Sequence, residues 1–384
     1  MIVATPVLRG KELEAIDRVW QLQQSLAPSV AETSRWTGTL RRQSLGRVIQ
    51  ASNSIEGYEA SLALVQNALL TAGQPNLDSQ TERALLGYRN AMTFGLQLAK
   101  DPQPIHFDRN LLRSLHFMLL DGQLEQRAGS LRLGPIYVQD AAGLKVHEGA
   151  PAGQIEPLVD EVLSTLNNPD GVAIIDAAMA HLNLVLIHPF KDGNGRIARV
   201  IQSLGLAKSS KLSPVFLSIE EYLARETAAY YRVLAEVGGG SWRTRSDARP
   251  WLHFVLEAHW QQAHAVLKNN RTINELWAES AALVEKLSLP ERSVPALVHL
   301  LTGNQLNNAA YRSLLAESGD TIKSLTASRD LAELEKAGLL VGSGETKSRS
   351  YLLGSQLNLI AERAARSATV AAPKPLFENG RLLG

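Results

Sequence analysis

The segment from Ile174 to Ile187, IIDAAMAHLNLVLI, is apolar almost throughout and is followed at once by His188 and Pro189. Proline cannot continue a helix, so this helix has a fixed stop and holds an imidazole at its end, beside a loop. Apolar residues three and four apart recur along most of the chain, in stretches rich in Ala, Leu, Glu, Gln and Arg, and strand signals are few. The spacing predicts a mainly α protein with helices over 11–23, 41–55, 61–72, 81–98, 154–166, 172–187, 194–208, 219–237 and 248–268. One more helix starts at Asp108, a candidate N-cap. A hairpin is predicted at 136–146, where PIYVQ and LKVH flank the turn residues Asp140 and Gly143.

Residues 287–355 have a different order: three short helices, then two short strands at 339–341 and 351–353. That is the order of a winged helix, with 324–338 as its recognition helix, closed by Gly338 at the C′ position. A chain of 384 residues has room for two or three domains. The division predicted is an N-terminal helical region (1–100), a core (101–268), a linker helix (269–286), the winged helix (287–355) and a loosely held tail (356–384) containing Pro373, Pro375 and Gly380.

Composition removes several function classes. With 39 Lys+Arg against 38 Asp+Glu there is no global field to hold nucleic acid or an anionic membrane. The absence of cysteine excludes disulfides, thiolate nucleophiles and Cys-ligated metal. No apolar run is long enough to span a bilayer, and the start lacks a basic segment followed by an apolar one, so a cytoplasmic, membrane-free protein is expected.

The chemistry concentrates in His188 to Arg199, HPFKDGNGRIAR. Gly193 and Gly195 allow backbone conformations closed to other residues, so successive N–H groups can converge on an anion, and the helix beginning near Asn194 adds its positive end. Arg196 and Arg199 are three apart and share a helix face, where two guanidinium groups can reach further phosphate oxygens. Asp192 is the natural oxygen ligand for Mg²⁺, which takes one or two carboxylates together with substrate phosphates. A base, an anion cradle, a carboxylate and two arginines within one short string describe nucleotide-dependent transfer.

This string resembles the signature of the Fic family, matching it at His188, Phe190, Asp192, Gly193, Asn194, Gly195, Arg196 and Arg199. Gly129 to Arg132 resembles the family's G-x-x-R turn, with Leu131 where an aromatic often stands, and ETAAYYRVL with Trp251 resembles its C-terminal core helices. The resemblance implies a Fic-type helical bundle with a β-hairpin flap, and transfer of AMP from ATP to a Ser, Thr or Tyr hydroxyl of a target protein. It implies that His188 is the general base, Asp192 the ligand of Mg²⁺ (or Mn²⁺), Asn194 the residue orienting the α-phosphate, Gly193 and Gly195 the donors of the cradle, and Arg196 and Arg199 the binders of the distal phosphates. Gly195 stands where the related Doc kinases have Lys, which favours nucleotidyl over phosphoryl transfer. The hairpin at 136–146 takes the place of the flap, whose edge pairs with an extended target segment. Self-modification and a homodimer are also compatible with the resemblance.

Ser52 to Gly57, SNSIEG, resembles the family's inhibitory motif. Ser52 and Glu56 are four apart, on one helical face, and Gly57 fits a helix C′ position. The resemblance implies that Glu56 pairs with Arg199 in the place of the γ-phosphate and restrains the enzyme; in some relatives such a glutamate also positions a water that removes AMP. Two alternatives therefore remain open, a reverse reaction using Glu56 and a nucleotide-sensing transcriptional regulator. For the regulator, Lys323, Arg329, Lys347 and Arg349 would face DNA, yet residues 285–355 hold eight Lys+Arg and eight Asp+Glu, poor for binding by counterion release. His181 reads as a structural histidine near the site, because no carboxylate or thiolate completes a metal set. His106 and His147 stand alone, and Trp20, Trp36 and Trp242 read as core or edge aromatics.

Overall fold

The computed structural model describes residues 1–27, 37–70, 79–121, 123–140, 142–168, 170–207, 212–317, 319–344, 349–367, 373–378 and 381–383. It is mainly α, as the spacing predicts. The N-terminal region supplies α1 (Gly10–Leu26), α2 (Thr37–Ser54), α3 (Leu62–Leu70) and α4 (Ser79–Leu98). Next comes α5 (Arg109–Leu119), capped as predicted: the Asp108 carboxylate accepts from the Leu111 N–H at 2.7 Å, satisfying a donor that a helix start leaves free. The strands β1 (Tyr137–Gln139) and β2 (Lys145–Glu148) pair antiparallel, with a register shift between Val138 and Gln139. After them come α6 (Ile155–Asn167), α7 (Ala173–Ile187), α8 (Asn194–Ala207), α9 (Pro214–Leu217), α10 (Glu220–Arg225), α11 (Thr227–Gly238) and α12 (Arg249–Lys286).

α7 is apolar on all sides because it divides two hydrophobic clusters. Ile175, Ala178, Leu182 and Leu186 pack with Tyr230, Trp251, Leu252 and Val255 of α11 and α12. Ala177, Ala180, Leu184 and Ile187 belong instead to the cluster holding Leu112 and Leu119 of α5, Val159 of α6 and Ile197 of α8. Each large aliphatic side chain buried this way contributes about 1.5–3 kcal/mol, so both ends of α7 are held firmly, including the end that carries His188.

Two predicted boundaries shift for local reasons. The helix expected over 219–237 breaks at Glu226, where the Thr227 hydroxyl donates to the Leu223 and Ala224 carbonyls at 3.1 and 2.7 Å and competes with the backbone ladder. The helix expected to end at 268 continues to Lys286, because no glycine or proline interrupts 251–286. With 38 residues at 1.5 Å each, α12 is roughly 57 Å long, and residues 269–286 are its second half.

Beyond it lie α13 (Val294–Leu301), α14 (Asn308–Glu317), α15 (Ser324–Lys336) and the antiparallel pair β3 (Leu340–Ser343) and β4 (Ser350–Leu353), with Gly338 at φ +73° closing α15. An isolated bridge joins Leu306 to Tyr351. Of the cations expected to face DNA, Arg349 is engaged by the Glu335 carboxylate at 2.7 Å, and Lys347 lies outside the described residues. This module leans on the N-terminal region: Arg42 of α2 forms an ion pair with Glu317, and Gln43 donates to the Thr302 hydroxyl at 2.9 Å.

The tail corrects the expectation of a loose end. After α16 (Asn358–Ser367), the short strands β5 (Phe377–Glu378) and β6 (Arg381–Leu382) pair. Leu376 is buried with Ala15, Val19 and Leu256 between α1 and α12, and the N–H groups of Leu376 and Phe377 donate to Glu257 at 2.6 and 3.2 Å. Pro373 and Pro375 thus precede an anchored hairpin. Among the described residues no helix is long and apolar enough to cross a membrane.

Candidate active site

His188 ends α7 in a left-handed conformation, φ 54° and ψ 62°, unusual for a residue with a side chain. Arg132 holds this backbone. Its Nε donates to the His188 carbonyl at 2.7 Å, its Nη2 to the Ile187 carbonyl at 3.2 Å, and its own N–H to the Pro189 carbonyl at 3.0 Å. The His188 Nδ1 lies 3.1 Å from the Val185 carbonyl, which can only accept, so the proton sits on Nδ1 and Nε2 is left as an acceptor. Burial lowers the pKa of His188 to about 4, against the Val185 hydrogen bond and helped by His147 and Arg132. The ring is therefore neutral near pH 7 and ready to take a proton.

The loop that follows is braced from within and from below. The Asn194 side chain donates to the Phe190 carbonyl and accepts from the Phe190 N–H, both at 2.9 Å. Asn194 thereby shapes the loop with one of its two N–H donors and with its carbonyl oxygen. From below, the His116 ring of α5 stacks on Phe190, centroids 3.7 Å apart and planes within 9°. Gly193 has φ +74°, a conformation suited to glycine. The Asp192 carboxylate accepts from the Gly193 N–H at 2.7 Å and lies 3.4 Å from Arg196 Nη2, with nearly half of its surface in solvent.

On α8 the second arginine is fully buried and meets the N-terminal region. Arg199 donates from Nε to the Ser52 hydroxyl at 2.7 Å, and from Nη2 to the Ser52 carbonyl at 3.0 Å and to Glu56 Oε1 at 2.7 Å. Burial works against this charge, but the Glu56 carboxylate, with Tyr230 and Tyr88 beside it, offsets that cost and the pKa of Arg199 stands above its usual value. The same carboxylate occupies the space above Gly195, where a Cβ would lie 2.4 Å from Glu56 Oε1 and 3.1 Å from Arg199 Nη1. It is also close enough to His188 to raise the proton affinity of that ring. α2 ends at Ser54, before the predicted Ile55, so Glu56 stands on a turn, fixed by N–H bonds from Glu56 and Tyr58 to the Asn53 carbonyl at 3.0 and 3.1 Å. Ser52 and Glu56 reach Arg199 from a helix and its following turn.

Two features show donors prepared for a further anion. Arg199 Nη1 and Arg196 Nε are buried without a hydrogen-bond partner among the described residues, and the missing side chain of Gly195 leaves room for an anionic oxygen, here that of Glu56. Asp192 is a single, half-exposed carboxylate, and no cluster of three or more His, Asp or Glu occurs among the described residues. One carboxylate suits Mg²⁺ shared with phosphate oxygens and does not suit an all-protein metal cage.

The structure brings His188, Asp192, Gly193, Gly195, Arg196, Arg199, Ser52 and Glu56 to one site. His181 lies beneath it, fully buried, with Nε2 2.9 Å from the Tyr230 hydroxyl and Nδ1 bonded to Gln202. His147, uninformative in the sequence, is 2.8 Å from the Leu186 carbonyl and so braces α7 near its end. His116 escaped sequence reasoning, although a histidine on the apolar face formed by Leu112, Leu115 and Leu119 was a signal that could have found it. Of the pair Tyr230 and Tyr231, expected to pack with one hydroxyl on a polar partner, Tyr231 donates to the Ile55 carbonyl at 3.1 Å and holds the turn, a contact the sequence did not assign. In the flap position, β2 is bonded on its far side to residues 240–242 through Glu148, which leaves β1 as the outer strand. Trp20 is exposed, Trp242 is half-buried and Trp36 lies outside the described residues.

Residues 106–206 match the model of the Fic/DOC family. The protein adenylyltransferase fic-1 of Caenorhabditis briggsae is 31% identical over 250 residues, which cover 61% of this chain and 45% of that protein. Its namesake in Caenorhabditis elegans is 30% identical over 211 residues, covering 53% and 37%. The chain thus spans less than half the length of these curated relatives. Among solved structures, a Fic family protein from Desulfovibrio desulfuricans G20 aligns over 91% of this chain and 98% of its own, with a TM-score of 0.56 at 20% identity. A fragment of Fic-1 from Caenorhabditis elegans aligns over 68% of this chain and 73% of its own, with a TM-score of 0.55 at 21% identity. At these identities the likeness is one of fold.

Proposed function

We infer, from a chain that carries a Fic/DOC domain over residues 106–206, that its reaction is transfer of AMP from ATP to a Ser, Thr or Tyr hydroxyl of a protein, restrained by Glu56. The observation that carries this reading is the place of the Glu56 carboxylate: an anion already lies over Gly195 and against Arg199, where a phosphate oxygen would be bound. In the reaction, the hydroxyl oxygen attacks the α-phosphorus, the bond from that phosphorus to the bridging oxygen breaks, and pyrophosphate leaves. His188 Nε2 takes the hydroxyl proton, since Nδ1 is committed to Val185. Backbone N–H groups of the loop and the start of α8 face the phosphates, and Arg196 and Arg199 receive the distal oxygens. Mg²⁺, held by Asp192, would neutralise phosphate charge when bound.

With Glu56 on Arg199, the arginine is occupied and the distal phosphates lose their partner, so productive ATP binding requires the turn at 55–58 to withdraw. In this reading residues 1–100 restrain a core of 101–268, α12 carries the chain on to a winged-helix module at 287–355, and the target lies along β1. A cytoplasmic location, where ATP is supplied, belongs to the same proposal. The test is incubation of the Glu56→Gly protein with Mg²⁺ and ATP labelled at either the α- or the γ-phosphorus, alone and with cell lysate. Protein labelled from the α-position alone is the expected result; label from the γ-position, or none from either, contradicts AMP transfer.

A further inference from the structure

The loop between His188 and Asn194 takes its shape partly from a residue of α5, and we propose that His116 is a positioning residue of the transfer reaction, aiming the Gly193 N–H at the phosphate. This inference rests on reading the loop as a phosphate cradle. The Gly129 N–H can only donate, and it lies 2.9 Å from His116 Nδ1, so Nδ1 accepts and the proton is on Nε2. Nε2–H in turn donates to the Asp192 carbonyl at 2.9 Å. The Gly129 donor thus fixes both the tautomer and the neutral state of the ring.

The peptide linking Asp192 to Gly193 is planar and trans, as no cis bond occurs among the described residues, so its C=O and N–H point in opposite directions. Drawing the carbonyl down onto His116 turns the Gly193 N–H up, away from α5. There it already meets an anionic oxygen, Asp192 Oδ1 at 2.7 Å. Only glycine fits this close approach to α5, because a Cβ at Gly193 would lie 3.1 Å from Leu119 Cδ2 and 3.4 Å from His116 Nε2. Stacking on Phe190 fixes the plane of the imidazole, and therefore the direction in which Nε2–H points. A packing role alone would need the ring; this role needs both of its nitrogens.

Two substitutions separate these roles when made in the Glu56→Gly protein. His116→Phe keeps a flat ring on Phe190 and removes both hydrogen bonds, whereas His116→Gln restores an N–H donor without the ring. Two quantities are measured: kcat/KM for ATP in transfer of α-label, and calorimetric affinity for Mg²⁺-pyrophosphate. The Phe variant is expected to lose about tenfold to a hundredfold in kcat/KM and at least fivefold in pyrophosphate affinity, on the scale of a misaimed anion-hole donor; the Gln variant recovers most of both. A Phe variant within twofold of its parent in both measurements overturns the proposal, as does a Gln variant no better than the Phe variant. If the parent transfers no label, the proposed reaction fails while the pyrophosphate measurement still decides the role of His116.

Discussion

The loop from His188 to Asn194 and the turn from Ile55 to Tyr58 meet at Arg199, yet they are built in opposite ways. The loop is held by buried side chains that bind backbone: Arg132 on the carbonyls of Ile187 and His188, His116 on that of Asp192, Asn194 on both backbone groups of Phe190. The turn is held by short-range N–H bonds, by one hydroxyl from Tyr231 and by Glu56, whose side chain keeps 28% of its exposure. The ion pair has one fully buried partner and one partly open to water, so water can reach and loosen it from the Glu56 side, unlike the buried network of the loop. In the proposed reading the difference separates a preorganised catalytic half from a restraining half that a few kcal/mol can move, and every tenfold of release needs only about 1.4 kcal/mol.

The comparison breaks most sharply on the rigid side. His188→Ala removes the proton acceptor and is expected to lower α-label transfer by about a thousandfold, within the range for general bases, in both wild-type and Glu56→Gly proteins; a fall of less than tenfold in initial rate would remove His188 from that role. Asn194→Ala leaves the Phe190 backbone without its partners, and a loss of about tenfold to a hundredfold in kcat, with about 1–3 kcal/mol of stability from the unsatisfied groups, is expected from rate and denaturant measurements on the same samples.

Acid is expected to act on the rigid side as well. Burial lowers His116 and His188 to about 4, and His181, His259 and His299 to about 3. Below the ordinary histidine value near 6.5, the unfolded chain takes up protons that the folded chain refuses. Stability should therefore decline as pH falls from about 6.5 towards 4, seen as a falling thermal midpoint, while the free-enzyme base titration of kcat/KM lies below 6.5. A midpoint unchanged from pH 7 to pH 5 would refute this.

On the turn, Tyr231→Phe deletes one hydroxyl bond to Ile55. At about 0.5–1.5 kcal/mol for such a bond, basal transfer should rise about twofold to tenfold, and the rise should vanish when the same change is made in the Glu56→Gly protein.

The two regions also differ in how legible they are. The loop announces itself because its base, glycines, carboxylate and arginines are contiguous, and the stop at Pro189 marks its start. The pairing of Glu56 with Arg199 joins residues 143 apart in sequence; only resemblance to a family motif pointed to it, and the turn geometry after Ser54 differs from the single helical face that spacing implied. The roles of His116 and Arg132 were not readable, since each acts on a backbone carbonyl, and carbonyls carry no sequence label. The tail misled for a related reason. Its prolines read as the mark of a loose end, whereas Leu376 finds a groove made by α1 and α12, elements far away in the chain.

The most direct test of this division is the initial rate of α-label transfer by Glu56→Gly relative to wild type, at saturating Mg²⁺-ATP and matched protein concentration. An increase of tenfold or more, abolished by adding His188→Ala, is the result predicted for a preorganised site under a weakly held restraint. Equal rates in the two proteins would contradict it, because Glu56 on Arg199 would then restrain nothing.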